Sequence, residues 1–131
     1  FTGSPHYVSF QESPFDAQSD FISWARSIRY NMDYNKNGIN VNSIVKSSSN
    51  SLSIRTYERG VENETLSCGT GAVAAAICFS QKFITEPGEQ HIHIETQGGP
   101  LSVEFNSDGK VYSNIKLSGS ATFVFEGEIK R

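Results

Sequence analysis

The residues best suited to chemistry lie in one short stretch, Ser-Cys-Gly-Thr-Gly at positions 67–71, followed by Ala-Val-Ala-Ala-Ala-Ile-Cys-Phe. Residues 72–79 offer no polar face before Ser80, which predicts a helix over 69–82 that is apolar, and therefore buried, all round. A helix N-terminus leaves backbone N–H groups unpaired and carries about half a positive charge. Gly69 and Gly71 allow the backbone to approach a ligand closely. Such an end suits a carboxylate or a phosphate. The same field stabilises a thiolate, so Cys68 should be reactive. The stretch thus joins an anion cradle to a nucleophile or base. Taken alone, it is equally compatible with a small buried Cys68 at the start of an ordinary helix.

The other candidate groups are weaker. Cys78 lies ten residues further along the same helix, a rise of about 15 Å, whereas a disulfide needs Cα atoms within about 7 Å. Cys78 therefore reads as core, and two unpaired thiols suit a reducing, cytoplasmic setting. His91 and His93 have no companion ligands nearby and lie in an alternating stretch. They read as strand positions on one face, with no metal implied.

Several elements must position this stretch. "HYVSF" follows a Gly-Ser-Pro turn and reads as a short strand. Phe21, Ile22, Ala25 and Ile28 recur at helical spacing, with Ser19 or Asp16 as candidate caps, and predict an amphipathic surface helix. "INVNSIVKSS" and "SLSIRTYE" alternate as strands around an "SSSN" hairpin loop, and "RGVENETLS" reads as a loop. After "EPG" come "QHIHIET", "LSVEFN", "KVYSNIKLSG" and "SATFVFEGEIK", short strands joined by glycine-containing turns. In a domain this small the cover for an apolar helix is sheet. The expected fold is α+β, with a central buried helix wrapped by a curved, mostly antiparallel β-sheet and one surface helix.

Composition agrees. The 131 residues include nine Phe and five Tyr, enough for one core but not two. A net charge of −3 without a Lys/Arg cluster argues against nucleic acid and anionic membrane. No apolar run approaches the ~20 residues that span a bilayer. The chain does not begin with Met and shows no signal peptide, which suggests an excised piece with something upstream.

The stretch before the thiol is more specific. "RTYERGVENETLSCGTGA" resembles the second cysteine signature of the diaminopimelate epimerases, cofactor-independent amino-acid epimerases. "TGSPHYV" is similar to that family's Gly-Asn-Pro-His stretch, and "IRYN" with "GINVN" to its next segments. "IHIETQGGPLSVEF" and "IKLSGSATFVFEGEI" resemble its closing strands. The resemblance covers nearly the whole chain. Cys-Gly-Thr-Gly alone is less specific, since proline racemases and related isomerases share it.

The resemblance implies a two-lobe enzyme that interconverts LL- and meso-diaminopimelate for lysine and peptidoglycan precursors. Two cysteines act from opposite faces of the α-carbon, without pyridoxal or any other cofactor. Residues 1–131 then form the C-terminal lobe. Its partners are diaminopimelate and an N-terminal lobe carrying the second thiol, and a homodimer is a candidate assembly. Alone, the chain is expected to be inactive, since Cys78 cannot replace that thiol. Cys68 matches the catalytic cysteine. Gly69 and Thr70 match the residues whose amides hold the α-carboxylate. Glu58 and Arg59 match the substrate-binding pair; Arg59 can fork onto a carboxylate and Glu58 can accept from an ammonium group. Asn40 matches a substrate-binding asparagine. Asn42 shares its face but matches no functional position. His6 matches a histidine that tunes the cysteine, as Glu58 could too.

There are departures from the family pattern. Ser4 stands where a substrate-contacting Asn is usual, and offers one hydroxyl in place of an amide. Ser43 replaces an expected Phe. The loop before Cys68 carries Glu62 and Asn63 where a shorter, glycine-bearing form is common. The alternatives are a proline racemase-like or other epimerase of the same architecture, and a non-catalytic anion-binding module.

Overall fold

Each strand of this chain carries two faces, and the two helices take one face each. The computed structural model describes residues 2–130. The elements run β1 (His6–Gln11), α1 (Gln18–Arg29), β2 (Asn40–Lys46), β3 (Ser51–Glu58), β4 (Asn63–Thr65), α2 (Gly69–Phe83), β5 (Gly88–Thr96), β6 (Gly99–Ser107) and β7 (Tyr112–Gly119). The strands form one sheet in the order β1-β2-β3-β5-β6-β7, with β4 paired to β3. The sheet is mixed. β1 pairs β2 and β3 pairs β5 in parallel, and the other four pairings are antiparallel. The two parallel joins need crossovers. α1 makes the first and α2 the second.

Side-chain alternation assigns the faces. Tyr7, Val41 and Tyr57 point to α1 and pack with Phe21, Ala25 and Ile39. Val8, Phe10, Ile44, Leu52 and Ile54 point the other way and pack with Ala72, Ala75, Ala76 and Phe79 of α2. The buried residues therefore form two clusters, where composition had led us to expect one core. The expected α+β fold with a central helix holds: α2 touches β1, β2, β3, β5, β6 and β7.

Three expectations need correction. First, α2 is not buried all round. Gly71, Ala72, Ala75, Ala76, Phe79 and Ser80 are sealed, but Val73, Ala74, Ile77 and Cys78 are only half-buried. A helix laid on one open sheet covers one stripe. Second, α1 is capped by neither Ser19 nor Asp16. Ala17 is the N-cap and makes no side-chain cap. The chain enters α1 through Phe15, which packs edge-on to Phe21 at 5.7 Å and against Trp24 at 5.2 Å between ring centroids, a staple-like contact that substitutes for a cap. Third, residues 120–130 form no strand. They leave the sheet after β7, and Phe123 and Phe125 are 80% and 81% exposed. Strand-forming residues without a neighbouring edge gain nothing from being extended.

The loop before Cys68 is held more firmly than its composition suggests. It contains β4, formed because Arg55 forks onto Glu64 at 2.6 and 2.7 Å and Gln97 donates to the same carboxylate. Glu62 is a second anchor. It accepts from Arg29 at 2.8 Å, Tyr30 at 2.8 Å, Tyr57 at 3.2 Å and the Gly60 amide at 3.1 Å. Burial acts to raise the Glu62 pKa. The Gly60 amide, the Tyr30 hydroxyl and the Arg29 guanidinium outweigh it and hold the group at about 2. A folded pKa below the unfolded one gives stability that is present above the unfolded value and lost as pH falls through the folded one. Stability to urea should thus fall between about pH 4.5 and 2. Glu62→Gln should flatten that slope and remove about 1 kcal/mol at neutral pH, discounted for partial exposure. An unchanged slope in the variant would show that these contacts hold nothing in solution.

Candidate active site

On the α2 side of the sheet, three strands turn polar at the same end. By alternation His6 of β1, Asn40 and Asn42 of β2, and Thr56 and Glu58 of β3 share that face. His6 lies opposite Asn40, and Asn42 opposite Thr56, in the strand register. The N-terminus of α2 sits over this end. Cys68 is its N-cap, in extended conformation with φ −135° and ψ 109°. The first helical bond runs from the Ala72 amide to the Cys68 carbonyl at 2.9 Å. Among the described residues nothing accepts from the amides of Gly69, Thr70 or Gly71, so the donors expected at a helix start are available.

The thiol of Cys68 is half-buried and unpaired. Its sulfur lies 3.6 Å from Thr70 Oγ1. Thr70 Oγ1 in turn lies 2.9 Å from His6 Nε2. His6 Nδ1 meets the side-chain amide of Asn42, with Nδ2 at 3.1 Å and Oδ1 at 3.3 Å. Asn42 Oδ1 accepts from the Thr56 hydroxyl at 3.5 Å. A polar chain thus runs from sulfur to sheet. Burial lowers the His6 pKa, against the bond a charged ring would donate to Asn42 Oδ1 and the negative charge of Glu58, which raise it. The imidazole is therefore neutral at pH 7. Glycine leaves room for this arrangement: a Cβ on Gly71 would stand 3.1 Å from Asn42 Oδ1 and 3.2 Å from His6 Cε1.

A second chain ties the remaining candidates. Asn40 Nδ2 donates to Ser4 Oγ at 2.8 Å and to the Pro5 carbonyl at 3.1 Å. Asn40 Oδ1 accepts from the Arg59 amide at 2.8 Å. The buried Asn40 thus holds the Ser4 turn and the Glu58-Arg59 corner together. Arg59 is exposed and lies across Gly38, and its Nη1 donates to the Asn37 carbonyl at 2.8 Å. Gly38 has φ +72°, and a Cβ there would collide with the Arg59 side chain. The two chains meet in the 4–6 turn, which contributes Ser4 to one and His6 to the other. The structure therefore brings Cys68, Thr70, His6, Ser4, Asn40 and Arg59 into linked positions. Glu58 reaches His6 through its charge and makes no side-chain hydrogen bond among the described residues. Gly69 is packed by Leu117 of β7, 3.0 Å from where its Cβ would stand.

Three participants were not assigned from the sequence. Asn42 carried a signal, an amide facing the same way as Asn40 in an apolar strand. Thr56 and Leu117 carried none, because their contacts depend on pairing between distant strands. Beside the site, Thr2, Ser4, Pro5, His6, Val8, Ala74, Ile77 and Cys78 line an open cleft of about 230 Å³. A larger hollow between β6 and β7, lined by Glu89, Glu104 and Asn114, contains none of these residues. His91 and His93 stack at 4.4 Å on the exposed face of β5. Among the described residues no three His, Cys, Asp or Glu side chains stand close enough to share a metal. No described helix is long and apolar enough to cross a membrane.

The fold has relatives among solved structures. A predicted epimerase from Pseudomonas aeruginosa superposes with a TM-score of 0.61 over 82% of this chain and 34% of its own, at 14% identity. A phenazine biosynthesis protein of the PhzF family from Bacillus anthracis gives 0.53 over 80% and 31%, at 17% identity. The fold is thus the epimerase-like α+β lobe. A family model for diaminopimelate epimerase matches residues 1–124, and the chain belongs to that family. Diaminopimelate epimerases from Flavobacterium psychrophilum and Aquifex aeolicus are 46% and 37% identical to it. Each match covers 98% of this chain but 48% and 44% of those proteins, so the chain spans about half the length of these curated relatives.

Burial pushes the Cys78 thiol up, whereas Cys68 stands at the open amide end of α2. Cys68 should therefore alkylate faster with iodoacetamide at pH 7, as read by mass spectrometry. Equal rates would remove Cys68 from the site. Gly71→Ala should not give the gain of about 1 kcal/mol that helix propensity alone favours, because its methyl crowds His6 and Asn42. A thermal melt decides; a full gain would mean that the pair is loosely held.

Proposed function

We propose that this chain is the C-terminal lobe of a diaminopimelate epimerase and supplies one of two thiols that move the α-proton. Cys68 takes or returns that proton on one face of the substrate, and a cysteine of the other lobe serves the opposite face. The observation that carries the reading is the Cys68 sulfur, set on an open helix N-terminus and joined through Thr70 to a neutral, half-buried His6. The family and the half-length match support it.

The chemistry explains why such a setting is useful. The α-hydrogen beside a carboxylate becomes acidic only if the developing charge meets preorganised donors. The amides of Gly69 and Thr70 are placed for the α-carboxylate, and the α2 dipole adds to them. At the distal amino-acid head, Arg59 pairs with the carboxylate and Glu58 with the ammonium group. Ser4 adds a hydroxyl there, and Asn40 fixes both sides of this grip. Closing two lobes would exclude water and strengthen each of these interactions. One base can remove and return a proton only on its own side, so inversion needs the second thiol.

The isolated 131-residue chain should therefore show no turnover of LL-diaminopimelate. Joined to a lobe bearing the second thiol, it should incorporate solvent deuterium at the α-carbon, read by proton NMR in D₂O. Cys68→Ser in that enzyme should lower kcat by about 10²–10⁴ or more, the usual worth of a positioned acid/base. Turnover by the isolated chain would overturn the two-lobe reading, and a fully active serine variant would move the chemistry elsewhere.

A further inference from the structure

The geometry points to Asn42 as a positioning residue: it holds the His6 ring as the Nε2–H tautomer, so that the Thr70 hydroxyl is left to donate to the Cys68 sulfur. This role rests on the reading of Cys68 as the acid/base, but the tautomer is measurable without turnover.

Asn42 is fully buried, so both ends of its amide need partners. Around it stand a hydroxyl, Thr56 Oγ1, and one imidazole nitrogen, His6 Nδ1. Thr56 can donate to Oδ1, which leaves Nδ2 to donate to Nδ1, the shorter of its two amide contacts. A bare Nδ1 in a neutral ring puts the proton on Nε2. Nε2–H then donates to Thr70 Oγ1 across 2.9 Å. The threonine oxygen accepts that proton, and its own hydrogen is free for the sulfur at 3.6 Å. The opposite assignment takes the donor away from the sulfur. With Nδ1–H facing Oδ1, Nδ2 can turn only to the Thr56 hydroxyl, at the longer 3.5 Å contact. Thr70 must then donate to a bare Nε2, and the sulfur loses its donor. Gly71 provides the space in which this pair is locked, since any Cβ there would touch both partners. Asn42 touches neither sulfur nor substrate. It acts through His6 and Thr70.

The experiment is ¹⁵N NMR of the imidazole rings in the 131-residue chain at neutral pH, with His6 assigned by His6→Gln. The wild type should show a pyridine-like Nδ1 and a pyrrole-like Nε2. Asn42→Leu should give mixed tautomers and slow Cys68 alkylation by about three- to tenfold, the range of one hydrogen bond. Thr70→Val should slow it similarly, and Thr70→Ser should restore it. Cys78 is the internal control, because unfolding would accelerate its alkylation. A wild-type ring protonated on Nδ1 overturns the assignment without any variant. So does a folded Asn42→Leu protein that keeps the wild-type tautomer and the wild-type Cys68 rate. Neither result would touch the case for Cys68 itself, which depends on turnover by the joined lobes.

Discussion

The close seating of α2 on the sheet is the constraint from which the site follows. Its buried stripe is Gly71, Ala72, Ala75, Ala76, Phe79 and Ser80. Four of these have no side chain beyond Cβ, so the helix backbone can lie near the strands. The sheet face beneath is graded along its length. His6, Asn42 and Thr56 stand at one end and Phe10, Ile44 and Leu52 at the other, each set across β1, β2 and β3. The helix is laid so that its amide end meets the polar part and its apolar body meets the rest. Burial and chemistry are thus divided along one axis.

That division explains what was legible in the sequence. The Cys-Gly-Thr-Gly start of α2 is a local signal, and its meaning needs no distant partner. The alternation of β2 and β3 and the "SSSN" turn between them are local too, and those elements formed where the pattern placed them. β4 was read as loop because it depends on the fork between Arg55 and Glu64, nine residues apart. Residues 120–130 have strand character but no edge beside them. The Asn42 contact arises from strand parity combined with the parallel register of β1 and β2, which no single segment encodes.

The loop between Glu58 and Cys68 illustrates the same limit from another side. By composition it is acidic and polar, and it departs from the family pattern at Glu62. The structure gives it two anchors, Glu62 on Arg29 and Glu64 on Arg55. Glu62 sits at φ 57°, a left-handed conformation where glycine is the easier choice. Its four hydrogen bonds supply the compensation. A glycine there would relax the backbone but would release the corner carrying Glu58 and Arg59 from α1. The loop therefore exchanges backbone ease for attachment.

A neutral His6 is the more useful form for the proposed chemistry. A charged imidazolium would attract the thiolate and hold it as an ion pair, which would make the sulfur a poorer base. A neutral ring that donates through Thr70 steadies the sulfur with a hydrogen bond rather than a full charge. The proposed role uses this sulfur in both directions, to take the α-proton in one and to return it in the other. The buried Asn42 and the desolvation of His6 serve this together: one sets where the ring proton sits, and the other keeps a second proton off.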